Sequence, residues 1–176
     1  MKCLLPILVL ASSLLLGGCA TPLTVAKDSG RFAEALSIAP NDVLILSYCS
    51  FGKSPKGPKP KFMRNEGVVV ATPDLLHMSP EQIQAKTEPQ PVSLKYSEIQ
   101  TVAHKTQGFG CQIQIESNDS VLVLNITPNK ARWDCDVSKA LLYLITSKGV
   151  RVVEAQKWYD FEGGGGMAPI YIGPLF

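Results

Sequence analysis

Cys49, Cys111 and Cys135, with His77 and His104, are the residues whose types could do covalent chemistry in this chain. A thiolate beside an imidazole base is a nucleophile, and a thiol near a helix start has a lowered pKa. Cys135 stands where a helix would begin, but Asp134 and Asp136 flank it, and negative charge disfavours a thiolate. Capping and packing explain that segment better. Neither histidine has a second histidine, or a Cys-x-x-Cys pair, at metal-ligand spacing. Gly52-Lys53-Ser54 ends like a phosphate-binding loop, but Ser47 occupies the position of the motif's first glycine and Pro55 stops the helix that must follow. No catalytic residue, metal or cofactor is therefore expected. The alternative is a small thiol-dependent or hydrolytic enzyme pairing Cys111 or Cys135 with His77 or His104.

A second constellation is electrostatic. Lys53, Lys56, Lys59, Lys61 and Arg64 place five positive charges in twelve residues without an acid among them. Pro55, Pro58 and Pro60 hold that stretch extended, at about 3.1 Å per residue where it is polyproline II. Cations spaced along a stiff arm suit a run of phosphates, an anionic bilayer or an acidic protein. A basic residue near an anionic bilayer contributes about 1 kcal/mol. The bland counterpart is a solvated loop that binds nothing specific.

The N-terminus says where such chemistry would be placed. Lys2 precedes an apolar run from Leu4 to Leu16, then Gly17-Gly18-Cys19. A secretory signal has a basic start, an apolar stretch of about 7–15 residues and small residues at the cut. The run is shorter than the roughly 20 residues that cross a bilayer. Leu16-Gly17-Gly18-Cys19 resembles the lipobox of bacterial lipoproteins. The resemblance implies cleavage between Gly18 and Cys19, lipid on the Cys19 thiol and acylation of the new amino group. With Ala20 rather than Asp after the cysteine, it also implies sorting to the periplasmic face of the outer membrane in a Gram-negative host.

Composition sets the remaining bounds. Without residues 1–18 the chain keeps 158 residues and a net charge of +1, enough for one domain with a core and too little field to point to nucleic acid. Of the five cysteines, three remain besides Cys3 and Cys19. An oxidising compartment allows one internal bridge and leaves one thiol over; spacing does not choose the pair.

The elements follow from periodicity. Residues 19–41 read as a lipidated tether with a short helix over Ser29–Ala39, presenting Phe32, Ala35, Leu36 and Ala39 and capped by Asp28 or Ser29. Residues 43–48 are a strand, and the prolines make Phe51–Arg64 a loop. Strands follow at 67–71 and 75–78, at 92–96 by strict alternation, and around Ile99 and Val102. Cys111–Glu116 and Val121–Ile126 form a hairpin turning at Asn118-Asp119. Val137, Ala140, Leu141, Leu144 and Ile145 then make one stripe of an amphipathic helix, capped by Asp134 or Asp136 and ended by Gly149. Val150–Val153 suits a short strand. The chain from 154 to 176, with Gly163–Gly166, reads as a flexible tail.

This order gives an α+β domain over residues 42–153: a curved antiparallel sheet or partly open barrel of about five to seven strands, capped by one C-terminal helix. It is similar to the pleckstrin-homology-like superfold and its GRAM-type members. The carriers of the likeness are Glu66-Gly67-Val68-Val69-Val70-Ala71-Thr72-Pro73-Asp74-Leu75-Leu76, Ser93-Leu94-Lys95-Tyr96-Ser97-Glu98-Ile99, the Asn118-Asp119 hairpin and the helix ending at Gly149. In that superfold the loop after the first strand often carries lipid-binding cations, which is where Lys53–Arg64 falls. The functional expectation is a non-enzymatic, lipid-anchored envelope module. Its partners would be the membrane and an envelope protein, anionic lipid or lipopolysaccharide, and no nucleic acid.

Overall fold

A computed structural model describes residues 23–80, 91–127 and 133–162. Its main element is a curled, open sheet of eight strands. In chain order the described elements are α1 (Val25–Leu36), β1 (Ile45–Pro55), β2 (Phe62–Met63), β3 (Asn65–Ala71), β4 (Leu75–Pro80), β5 (Val92–Lys95), β6 (Ile99–Gln107), β7 (Gly110–Ser117), β8 (Ser120–Ile126), α2 (Cys135–Ser147), β9 (Arg151–Val152) and β10 (Phe161–Glu162). The sheet order is β5-β4-β3-β1-β8-β7-β6-β9. Two antiparallel meanders, β3-β4-β5 and β6-β7-β8, are joined through β1, which pairs with β3 on one side and β8 on the other. The α+β class stands as expected, with more strands than expected and with the N-terminal helix packed on the sheet.

β1 is long because its residues alternate between two apolar environments. Cys49 and Phe51 face the inside of the curl with Val69, Met78, Ile113, Ile115, Leu122 and Leu124. Leu46 and Tyr48 face outward with Val68 and Val70. β1 runs on through Lys53 and Ser54 to Pro55, paired with β8 as far as Ser120. The expected loop from Phe51 therefore shrinks to residues 56–61. Proline ends this ladder without interrupting it, since a strand's last residue need not donate.

α2 closes the curl. Asp134 is its N-cap, accepting from the Asp136 and Val137 amides, and Gly149 takes a left-handed φ of 84° just past the helix end. Leu141 and Ile145 are fully buried against the sheet, and each contributes about 1.5–3 kcal/mol by leaving water. Val137, Leu142 and Leu144 pack beside them, while Ala140, expected on the stripe, faces solvent.

Two further layers cover the sheet's outer face. α1 lies on Leu46, Tyr48, Val68 and Val70 through Ala33, Phe32, Leu36, Leu23 and Val25. It begins four residues earlier than expected, and its buried face centres on Ala33 while Ala35 and Ala39 are exposed. Residues 25–36 are thus part of the domain where a tether was expected. Residues 155–162 form a strap over β7 and β8. Its end, β10, pairs in parallel with β2, and Tyr159 and Phe161 pack with Phe62, Val121 and Val123. The body therefore reaches Glu162, past the expected boundary at residue 153.

Candidate functional site

Cys111 and Cys135 are joined in a disulfide with their Cα atoms 5.3 Å apart. The bridge pins the start of α2 to the start of β7 and removes both thiols offered for a Cys–His enzyme. Cys49 is the free cysteine of the described set, buried inside the curl. Burial first, and the Glu66 carboxylate second, push its thiol up, so it is inert and behaves as a small hydrophobe. His77 lies on the outer face with its Nδ1 2.6 Å from Ser93 Oγ. His104 is on β6, its Nε2 buried and without a hydrogen-bond partner. Desolvation lowers the pKa of both, helped at His104 by Lys139. Among the described residues no group of three or more His, Cys, Asp or Glu side chains could hold a metal ion.

The five cations do not act as one arm, because two of them pair with acids outside the stretch 53–64, one on β10 and one two residues past Arg64. Lys61 pairs with Glu162 of β10 at 3.4 Å. Arg64 pairs with Glu66 and also donates to Ser50 Oγ at 3.2 Å. Lys56 Nζ donates to Gln100 Oε1 at 2.7 Å while its amide donates to Asp119 O at 3.0 Å. Lys53 lies close enough to Asp119 to help hold that carboxyl below its ordinary value, after hydrogen bonds from Ser120 and Ser117. Lys53, Lys56, Lys59 and Lys61 are exposed and Arg64 is half-buried. The arm's outward cations are thus Lys53, Lys56 and Lys59, at the end of β1 beside the β7–β8 turn.

The strap is the site that the sequence reading missed. Its main chain is held by side chains of the sheet, Gln112 and Gln114 buried and Lys105 half-buried, and only at its end by strand pairing. Lys105 Nζ donates to Ala155 O at 3.1 Å, Gln114 Nε2 to Lys157 O at 2.7 Å and Gln112 Nε2 to Tyr159 O at 2.9 Å. Every second carbonyl is caught. Tyr159 N returns a bond to Gln112 Oε1 at 3.0 Å, so one fully buried amide copies the two-way exchange of an antiparallel ladder. The register aligns Glu66, Ser50, Asn125, Gln112 and Lys105 in one row across five strands. This polar row separates the patch under α1 from the patch under the strap. Alternation at 111–116 puts Gln112 and Gln114 on the outer face but cannot say that this face is covered.

Cys19 and Gly18, the expected lipidation and cleavage residues, lie outside the described residues. No helix among the described residues is long and apolar enough to cross a membrane.

No family model matches the chain, and no curated protein matches it. Among solved structures it is similar to the C-terminal domain of an unknown protein from Leishmania infantum, at 17% identity and a TM-score of 0.44, covering 66% of this chain and 96% of that one. It is also similar to the hSac2 domain from human phosphoinositide phosphatase Sac2, at 8% identity and a TM-score of 0.45, covering 81% of this chain and 94% of that one.

Proposed function

We propose that this protein is an exported, lipid-anchored module of the bacterial envelope, working by binding and not by catalysis. The observation that carries the reading is the Cys111–Cys135 bridge inside the folded body. Structural disulfides belong to oxidising compartments, the destination implied by the lipobox-like Leu16-Gly17-Gly18-Cys19. Lipid on Cys19 would hold the domain at the periplasmic face of the outer membrane. The order β5-β4-β3-β1-β8-β7-β6 followed by α2 supports a sheet of the pleckstrin-homology-like kind. The exposed cations Lys53, Lys56 and Lys59, at the end of β1, supply a surface for an acidic envelope protein.

Intact mass of the purified protein tests the anchor. The expected species begins at Cys19 and carries acyl groups, and Cys19→Ala abolishes both processing and acylation. An unmodified polypeptide free in solution, or one retaining residues 1–18, defeats the reading. A photo-crosslinker at position 59 tests the binding surface in intact cells. The adduct should be an acidic protein whose capture is lost with Lys53→Glu, Lys56→Glu and high salt. An adduct indifferent to charge and salt removes the basic loop from the proposal.

A further inference from the structure

The turn between β6 and β7 holds the most exposed large apolar side chain of the described residues. Phe109 is 98% exposed, between Gly108 at φ 57° and Gly110. The turn is nevertheless braced. A Cβ on Gly110 would run into the Trp133 ring, and Trp133 packs on Trp158 with centroids 5.5 Å apart. The next residue, Cys111, is bridged to Cys135, whose sulfur lies 3.7 Å from Phe109 O. A phenyl ring held fully in water by a rigid mount contributes nothing to the fold.

We propose that this turn rests on the bilayer, with Phe109 entering its interfacial layer and Trp133 and Trp158 at headgroup level. The inference rests on the lipid anchor at Cys19. Leu23 and Val25 pack on the α1 patch with Leu46 and Tyr48. Leu23 is four residue steps from Cys19, a reach of at most about 14 Å. Asn125 pairs with both Ser50 and Gln112, so Gly110 of β7 is level with Tyr48 of β1. Two strand spacings, about 10 Å, separate them. The anchor and the braced turn therefore belong to one end of the sheet. The basic loop starts after Pro55, seven residues further along β1, or about 23 Å of strand. Beside the turn, Asp136 is paired with Lys139 at 3.6 Å, so entry depends on apolar contact more than on charge. Tryptophan is enriched at this depth because its ring is apolar with one polar edge.

The chain's two tryptophans both flank the turn and report directly. The mature acylated protein is reconstituted into phosphatidylcholine vesicles with brominated acyl chains, and tryptophan emission is recorded. The expected result is quenching with a blue shift. Phe109→Asp should lower the docked-to-free ratio of the tethered domain roughly tenfold to a hundredfold and restore emission, with unchanged thermal unfolding. Phe109→Leu should keep the quenching, and so should Lys59→Glu at the far end. Unquenched tryptophans in an acylated protein overturn this inference and leave the anchor standing. Quenching that survives Phe109→Asp, or disappears with Lys59→Glu, overturns it as well. A chain without acyl groups on Cys19 defeats the anchor and this inference together.

Discussion

Removing the Cys111–Cys135 bridge should cost about a third of the stability of an ordinary domain. The two cysteines are 24 residues apart in sequence, and the loop-entropy relation for that span gives about 3.5 kcal/mol at 25 °C. Domains of this size lose about 2–4 °C of Tm per kcal/mol, so the fall should be about 7–14 °C. The perturbation is Cys111→Ser with Cys135→Ser, which leaves Cys49 as the thiol of the described body. Scanning calorimetry should give that fall, and the parent protein in reductant should match the variant. Thiol counting supplies a second readout. The folded parent should react with no alkylating reagent at Cys49, because the residue is fully buried, and should react once in denaturant. A variant that melts within about 2 °C of the parent, or a parent with three alkylatable thiols in denaturant, would refute the reasoning. The first result would mean that the unfolded chain is already constrained; the second, that α2 is held at its start by Asp134 capping and Trp133 packing alone.

Three further outcomes follow from the geometry. Gln112→Leu leaves both main-chain groups of Tyr159 and the Asn125 amide oxygen without their partner; urea unfolding should show a loss of about 1–3 kcal/mol, with amide exchange faster at 155–162 than in α1. Asp134→Ala removes the acceptor of two α2 amides and should cost about 1 kcal/mol by the same assay. His77 and His104 both have folded pKa values below the ordinary 6.5, so the unfolded chain binds more protons below that point. Their contribution is complete above about pH 6.5 and is lost as pH falls through the lowered folded values. The pH profile of Tm should drop on that side, and His77→Gln with His104→Gln should flatten it.

What was legible in the sequence was whatever one period or one local bond decides. The spacing of Val137, Leu141, Leu144 and Ile145 specified a helix and its buried side, and Gly149 marked its end. The Asn118-Asp119 turn and the apolar alternation around it specified the β7–β8 hairpin in register. Ala140 and Ala35 were misplaced because alanine is cheap on either face of a helix, so its position carries little information. Pro55 argues against a strand in the sequence, yet it sits at the last pair of β1, where a missing donor costs nothing.

The candidate site was less legible because its contacts join residues far apart in sequence through polar groups. Lys61 reads as a free charge until Glu162 of β10 meets it, whereas the partner of Arg64, Glu66, stands only two residues on, just past the acid-free stretch. Gln112 and Gln114 had the pattern of a solvated face, and that pattern is the same whether water or a main chain supplies the partners. The strap at 155–162 has no period of its own, since the sheet's side chains, not its sequence, fix its course. The same reasoning reaches Phe109. An exposed aromatic in a Gly-x-Gly turn is ordinary as sequence, and becomes informative only once Trp133, Trp158 and the 111–135 bridge are found to brace the backbone that carries it. Fixing the backbone beneath an apolar ring before any partner arrives lowers the entropy cost of the contact the ring later makes. Bracing of this kind is therefore the physical mark that separates a docking turn from a loop tip.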